Sequence, residues 1–282
     1  MTAMPMKHLS INADVHQLRR EPKLRIHHVS KVFEQKEQAI TALEDTNFDV
    51  REGEFVTILG PSGCGKSTIL KVIAGLTEPS SGYVMLNNQR INGPGADRGM
   101  VFQAYTLFPW LTVEENIGFG LQLKGMAKAQ RQEIVQHYLE LIGLNGFGAM
   151  YPNNLSGGMK QRVAIARALA NDPEVLLMDE PFGALDAQTR TVMQELLLKV
   201  WEESHKTILF VTHDIDEAIF MGDRVYVMTA RPGRLKAELP VPLPRPREFS
   251  IKTSPEFMRL KGEILELIRE ESWKAASEVG KP

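Results

Sequence analysis

The sequence contains one cysteine, no long apolar run and no excess of positive charge. Because Cys64 is alone among 282 residues, no intrachain disulfide can form, which fits a reducing compartment. No apolar stretch approaches the roughly 20 residues that a membrane-spanning helix needs, and the start of the chain lacks the apolar segment of a secretory signal. The sequence therefore predicts a cytoplasmic protein whose membrane role, if any, comes through a partner.

Charge is nearly balanced along the chain. The sequence has 33 lysines and arginines and 35 aspartates and glutamates, which gives a net charge of −2. This charge creates no overall positive field that would favour nucleic acid. Hydrophobic residues make up 43% of the chain and charged residues 24%, as in ordinary globular proteins. A packed core is therefore expected, and nucleic-acid binding is disfavoured.

A glycine-rich segment at residues 60–68 fits the pattern G-x-x-x-x-G-K-[ST]. An apolar run at residues 55–59 precedes it and a helix-like segment at residues 69–74 follows, which is the order a phosphate-binding loop requires. Backbone N–H groups and the helix N-terminus of such a loop hold a polyphosphate, while Lys66 reaches the β- and γ-phosphates and Ser67 binds Mg²⁺. The predicted nucleotide-binding residues of this loop are Gly60, Pro61, Ser62, Gly63, Cys64, Gly65, Lys66, Ser67 and Thr68.

Cys64 has two interpretations within this loop. It is either a small residue that fills the loop or a reactive thiol whose alkylation blocks nucleotide. The sequence favours the first interpretation.

Two adjacent carboxylates, Asp179 and Glu180, follow the apolar run at residues 175–178. A run that is apolar throughout is typical of a strand buried on both faces of a parallel sheet. Since side chains alternate along a strand, the two carboxylates are expected to point in different directions. Asp179 is the predicted Mg²⁺ ligand, and Glu180 the predicted general base for an attacking water.

Strands alternate with helices over much of the chain, which predicts an α/β fold with right-handed crossovers. Strand-like segments at residues 24–29 and 47–50 predict a small antiparallel sheet beside the nucleotide core. In the first segment, Leu24, Ile26 and His28 are expected to share one face.

Two segments depart from this alternation. Residues 112–144 have a helical pattern, with Ile134, Tyr138, Leu141 and Ile142 on one face, and predict an inserted helical block. Past Gly233, alternating prolines predict an extended arm, and Ser254 and Pro255 then supply the N-cap and first turn of an amphipathic helix. That helix either packs on its own domain, the favoured interpretation, or serves as a separate interaction element.

Residues 155–161 read L-S-G-G-M-K-Q. Ser156 can cap a helix, and Gly157 and Gly158 allow close approach to its N-terminus, which creates a second anion site. A chain with one phosphate loop needs no second cradle unless it serves nucleotide bound to another molecule. The motif therefore predicts a head-to-tail homodimer.

Together these motifs resemble an ABC transporter ATP-binding subunit, over about residues 23–233. Residues 178–186 and 229–234 further resemble the nitrate, sulfonate and taurine importer group. In chain order, the resemblance rests on a Walker A motif at residues 60–68, a Q-loop at Gln103, the signature at residues 155–161, a Walker B motif at residues 175–180, a D-loop at residues 183–186 and His213 after a strand.

The resemblance implies a P-loop NTPase (ABC ATPase) fold with a RecA-like parallel-sheet core, an antiparallel β subdomain and an inserted α-helical subdomain at about residues 104–170. The implied organisation is a flexible leader at residues 1–22, the ABC ATPase domain at residues 23–240, and a C-terminal extended arm and amphipathic helix at residues 241–282.

It also implies residue roles. Phe33 would stack on adenine, at a position where the family more often has tyrosine. Gln103 would sense the γ-phosphate and Mg²⁺. His213 would contact the γ-phosphate and organise the attack of water on it. The implied catalytic residues are Glu180, His213 and Gln103, the Mg²⁺ ligands are Ser67, Gln103 and Asp179, and the residues that close over ATP on the other subunit are Ser156, Gly157 and Gly158.

Some of these residues also have structural interpretations. Gln103 could be a surface residue at a strand end, and His213 a core histidine. Tyr105, Phe108 and Trp110 follow Gln103, and they form either subdomain core or a groove for a helix of a membrane subunit.

The function implied by the resemblance is ATP binding and hydrolysis that energises import of a small anion or organic solute. The expected partners are a second copy of the chain, a separate membrane permease and, indirectly, a periplasmic or surface solute-binding protein, with the chain peripheral on the cytoplasmic side of the inner membrane. The alternative is a soluble ABC ATPase acting on nucleic acid or in translation, against which the charge balance and the aromatic segment argue. Neither the solute nor an effector domain is indicated by the sequence.

Overall fold

The computed structural model describes residues 22–35 and 38–279, so the predicted leader lies outside the described residues except for Pro22. No described helix is both long and apolar enough to cross a membrane. The strands are β1 Pro22–Gln35, β2 Gln38–Arg51, β3 Phe55–Leu59, β4 Ser81–Leu86, β5 Gln89–Arg90, β6 Arg98–Val101, β7 Val175–Asp179, β8 Thr207–Thr212, β9 Arg224–Met228 and β10 Leu235–Pro240. The helices are α1 Lys66–Ile73, α2 Val113–Leu123, α3 Lys128–Leu141, α4 Gly157–Ala170, α5 Ala187–Ser204, α6 Ile215–Met221 and α7 Pro255–Val279.

A six-stranded sheet in the order β10-β9-β3-β8-β7-β6 forms the centre of the fold. Its strands pair in parallel except for β10, which runs antiparallel to β9. Every residue of β3, β7, β8 and β9 is buried, as expected for apolar runs covered on both faces. The predicted parallel sheet is confirmed, whereas β10 is a strand that the sequence analysis did not predict.

A second sheet, in the order β2-β1-β4-β5, is antiparallel, as predicted. The predicted face of β1 is wrong at one position. Leu24, Ile26 and Val29 are buried, but His28 is exposed and has φ of 49°. The pairing register of β1 shifts between Ile26 and Val29, and such a β-bulge inserts a residue and reverses the alternation beyond it.

Helices α2, α3 and α4 form a helical block with its own apolar core. Thr112 starts α2 with a capping box. On α3 the most buried side chains are Val135 and Leu139, whereas the predicted Ile134 and Tyr138 are only partly buried. The predicted helical block is therefore present; the inner face of α3 lies one residue from the predicted Ile134 and Tyr138, whereas the predicted Ile142, the C-cap of α3, is buried.

The C-terminal helix α7 packs on the parallel-sheet core. The Ser254 hydroxyl accepts a hydrogen bond from the Phe257 N–H at 3.2 Å, which is the predicted cap. Phe257, Leu260 and Ile264 are almost completely buried in the same apolar cluster as the sheet and α6. This contact favours the interpretation that the helix packs on its own domain.

The arm between β10 and α7 is anchored by a buried arginine. The Arg247 Nη1 donates to the carbonyl oxygens of Ile219, Phe220 and Gly222, at 3.0, 3.0 and 2.7 Å. These carbonyls lie at the C-terminal end of α6, where a cation is favoured. The arm is thus fixed to the helix that follows His213.

Replacing Leu260 by alanine should lower the free energy of unfolding by about 2–5 kcal/mol, because it removes a buried side chain and leaves a cavity. Urea unfolding followed by circular dichroism measures the effect. Met258→Ala is the matched control, since that side chain is 54% exposed on the same helix; it should change stability by no more than about 0.5 kcal/mol. Equal midpoints for the two variants would mean that α7 is not part of the core.

Candidate active site

A cleft of about 480 Å³ lies at the carboxyl ends of the parallel strands, where α/β folds bind their ligands. Predicted nucleotide-loop residues, Gln103, Glu180 and Phe33 all contribute to it. The lining residues are Phe33, Ile40, Ala42, Ser62, Gly63, Gly65, Lys66, Ser67, Thr68, Gln103, Glu180 and Arg231. Residues from separate parts of the chain, predicted to serve one site, therefore share one cleft.

The loop between β3 and α1 has the shape of a phosphate cradle. Gly65, at the N-cap of α1, has φ of 106°, and a Cβ there would lie 2.7 Å from the carbonyl oxygen of Ala42. Only glycine fits both constraints. The Lys66 side chain is buried, and its Nζ donates to the carbonyl oxygens of Gly60 at 2.8 Å and Pro61 at 2.9 Å. The ammonium group is thus held against the loop that would carry the phosphates.

Ser67 lines the cleft, and the buried Asp179 lies next to Ser67 without lining the cleft itself. The Ser67 hydroxyl donates to the Asp179 Oδ1 at 2.9 Å. Burial raises the pKa of the Asp179 carboxyl, and the hydrogen bond from Ser67 opposes that effect. A hydroxyl beside a carboxylate is a donor set that fits Mg²⁺, which prefers oxygen ligands. Gln103 lies exposed on the same cleft, two residues beyond the end of β6 rather than at the strand end.

Glu180 follows β7 in a left-handed backbone conformation, with φ of 43°. For a residue other than glycine this conformation costs about 1–3 kcal/mol and is concentrated at functional sites. The carboxylate lies between two groups: Oε1 is 3.8 Å from the Lys66 Nζ, and Oε2 is 2.9 Å from the His213 Nδ1. The two acidic side chains therefore have different neighbours, as expected, and the turn in the backbone contributes to this as well as strand alternation.

His213 follows β8 directly and its side chain is 56% exposed. The core-histidine interpretation is therefore wrong. Thr212 precedes it at the strand end, and Asp214 follows as the N-cap of α6, accepting a hydrogen bond from the Glu217 N–H at 3.0 Å. A strand end and a helix start thus fix the backbone on both sides of the imidazole.

The L-S-G-G segment starts a helix away from this cleft. The Ser156 hydroxyl caps α4 by accepting from the Met159 N–H at 3.3 Å. A Cβ on Gly157 would lie 2.9 Å from the Tyr105 Oη, and one on Gly158 would lie 2.6 Å from the Thr189 Cγ2. Within the described part of the chain, none of the three signature residues lines the cleft that holds Lys66.

The aromatic residues after Gln103 divide between the two interpretations. Phe108 contacts Phe119 of α2, with ring centroids 4.6 Å apart, so it belongs to the helical block. Trp110 is 70% exposed. Tyr105 and Phe108 are partly buried, so of these three residues Trp110 is the one that presents a largely exposed aromatic ring.

Arg231 is a cleft residue to which the sequence analysis assigned no role. Its Nε donates to the Gly63 carbonyl oxygen at 3.2 Å. The turn that carries it is held against the loop by Gly233, where a Cβ would lie 2.0 Å from the Cys64 carbonyl oxygen. The sequence signal was present, because an arginine-proline-glycine turn follows a strand of the same sheet, but the pairing of that turn with the loop is a long-range contact.

Comparisons with known proteins all point to one family. A family model described as ABC transporter matches residues 43–183. An uncharacterized ABC transporter ATP-binding protein of Methanocaldococcus jannaschii is 52% identical over 257 residues, which cover 91% of this chain and 95% of that protein. A nitrate import ATP-binding protein of Synechocystis is 49% identical, covering 87% and 95%. A taurine import ATP-binding protein of Pelagibacter ubique is 48% identical, covering 86% and 92%.

A solved structure supplies the matching fold. It is a dimeric, post-hydrolysis state of an ATP-binding cassette bound to ADP and Pi, 38% identical, with a TM-score of 0.69. The match covers 80% of this chain and 100% of that one. The predicted ABC ATPase fold, with its parallel core and antiparallel and helical additions, is confirmed.

Cys64 should resist alkylation in the folded protein, because its side chain is 1% exposed and burial raises the pKa of its thiol. Maleimide treatment at pH 7, followed by mass spectrometry, should show slow modification of native protein and rapid modification in guanidinium chloride. Rapid modification of the native protein, with loss of nucleotide binding that Cys64→Ala prevents, would instead support the reactive-thiol interpretation.

Proposed function

The chain belongs to the family of ABC transporter ATP-binding proteins and is an ATPase, and on this premise we propose that it energises an importer of a small anion or organic solute. The hydrolytic part of the proposal rests on the position of the Glu180 carboxylate between Lys66 and His213 at the cleft. The nitrate and taurine import proteins named above support the class of solute, since they match this chain over nearly their whole length.

Each cleft residue has a proposed role in in-line attack of water on the γ-phosphate. The backbone of residues 60–68 holds the phosphates, and Lys66 exchanges its two loop carbonyls for phosphate oxygens. Glu180 accepts the proton of the attacking water. His213, beside the same carboxylate, holds the γ-phosphate in line with that water.

Two further assignments complete the proposed site. Mg²⁺, held by Ser67, Gln103 and Asp179, would supply positive charge against the charge that develops on the phosphates. Phe33 would stack on adenine, since its ring is 41% exposed at the cleft.

The assembly is proposed to be a head-to-tail homodimer. The N-terminus of α4, with Ser156, Gly157 and Gly158, is an anion-binding element placed outside its own cleft. In a dimer it would close over ATP bound to the second copy, and the similar cassette with ADP and Pi is dimeric.

The remaining partners and boundaries follow from the same proposal. A separate membrane permease would dock at the helical block, with a periplasmic or surface solute-binding protein delivering the solute, and the chain would sit on the cytoplasmic face of the membrane. The ATPase domain is proposed to span residues 23–240, with the helical subdomain at about residues 104–170.

Glu180→Gln should lower kcat for ATP hydrolysis by about 10²- to 10⁴-fold, because the amide cannot accept the proton, while ATP affinity stays close to that of the unchanged chain. Phosphate release and fluorescent-nucleotide binding measure the two quantities. The ATP-loaded variant should also elute as a dimer in gel filtration. Undiminished hydrolysis would remove Glu180 from the role of base, and a monomer with bound ATP would contradict the proposed assembly.

Trp110→Ala should uncouple transport from ATP binding, because it removes the exposed aromatic surface proposed to receive the permease. The measurement is solute uptake into vesicles that contain the cognate permease, beside ATP binding by the isolated chain. Val192→Ala, which trims an apolar side chain that is 48% exposed on α5, is the control and should leave uptake unchanged. Full uptake with Trp110→Ala would place the permease elsewhere.

A further inference from the structure

A buried chain of hydrogen bonds joins the C-terminal arm to the loop of His213. Lys252, in the short turn before α7, donates from Nζ to the Gln194 Oε1 at 3.1 Å. The Gln194 Nε2 donates to the Glu217 Oε1 at 2.9 Å. The Thr212 hydroxyl donates to the other Glu217 oxygen. Four side chains from four separate elements are thereby connected.

The inner three side chains of this chain of hydrogen bonds are buried from solvent. Gln194, Glu217 and Thr212 are 3%, 4% and 2% exposed. Polar groups buried to this degree cost free energy unless each is paired, and leaving one unpaired costs about 1–3 kcal/mol. Apolar residues of similar size would fill the same space without that risk. The burial of Gln194, Glu217 and Thr212 is therefore better explained by a requirement for a fixed orientation of these side chains than by stability alone.

Lys252 and Glu217, at the two sides of Gln194, set the direction of the hydrogen bonds. An ammonium group only donates, so the Gln194 amide must turn its oxygen toward Lys252 and its nitrogen toward Glu217. The Glu217 carboxylate then accepts from both Gln194 and Thr212. Without the cation, the Gln194 carbonyl oxygen loses its donor, and the amide is held from the Glu217 side alone, so the Gln194 side chain is free to shift.

At its Thr212 end, this chain of hydrogen bonds holds the backbone around His213. The Thr212 Oγ1, besides donating to Glu217, accepts from the Asp214 N–H at 3.0 Å. Asp214 is in turn bonded to the Glu217 N–H. His213 lies between these two residues, with its Nδ1 2.9 Å from the Glu180 carboxylate.

We propose that Lys252 is a positioning residue for ATP hydrolysis, which acts through Gln194, Glu217 and Thr212 to fix His213 against Glu180. The C-terminal arm would then be part of the catalytic apparatus rather than an appendage to the cassette. The inference rests on the proposed role of His213, and it concerns how that imidazole is held.

Lys252→Met is the primary test variant. The Lys252 Nζ lies 4.4 Å from the centre of the Phe220 ring and 4.6 Å from that of Phe249, so methionine keeps an apolar side chain of similar length in that site while it removes the donor. We expect kcat to fall by about 10- to 100-fold, the cost of a misplaced catalytic group, with ATP affinity unchanged. Lys252→Arg, which retains the charge and the donors, should recover most of the rate.

Lys261→Met is the matched control. Lys261 lies on α7 and pairs with Asp216 of α6 at 2.7 Å, so it also links the C-terminal segment to this helix, but it has no bond to the Thr212 chain. Its loss should leave kcat unchanged. Thermal unfolding of each variant verifies folding; if Lys252→Met does not fold, Gln194→Met interrupts the same chain at its next member and should produce the same loss of kcat.

A double-mutant cycle on single-turnover hydrolysis separates positioning from structure. In a His213→Ala background, Lys252→Met should cause no further loss, because the group that it positions is gone. An equal loss in both backgrounds would overturn the inference, as would an unchanged kcat in Lys252→Met when His213→Ala is impaired. If His213→Ala itself hydrolyses ATP at the normal rate, the proposed function of His213 fails instead.

Discussion

The carboxyl edge of the parallel sheet is the constraint on which the site depends. Strands β3, β8 and β7 are neighbours in the sheet, although long stretches of sequence separate them. Their ends deliver, side by side, the phosphate loop, His213 and the pair Asp179 and Glu180. Because every residue of these strands is buried, packing on both faces of the sheet fixes the positions of the strand ends. The side chains that follow the strand ends therefore meet one another at the site without long extensions of the backbone.

Much of this arrangement could be predicted from local patterns. Continuous apolar runs identified β3 and β7, and parallel pairing brings the residues that follow these strands to the same edge of the sheet. The glycines of residues 60–68, together with their strand and helix flanks, identified the phosphate loop. Ser254 and Pro255 identified the start of α7. In each case the information lies in one short continuous stretch of sequence.

What escaped prediction depends on contacts between distant segments. The bulge at His28 comes from pairing β1 with β2 on one side and β4 on the other, and no local signal marks it. The inner face of α3 is set by where α2 and α4 lie. Arg231 reaches the cleft only because its turn packs on the phosphate loop, 168 residues earlier in the chain. Likewise, nothing in the sequence near Glu217 shows that Gln194 will face it.

The edge strand β10 has a consequence for contacts between copies of the chain. It pairs antiparallel with β9 and ends at Pro240, a residue that cannot donate to a neighbouring strand, while Lys236 and Glu238 place opposite charges along it. The other edge, β6, has only four residues. Charges, proline and short length are the features that keep sheet edges from pairing between molecules. The two edges of the central sheet therefore disfavour strand pairing between copies of the chain, so that association is left to other surfaces.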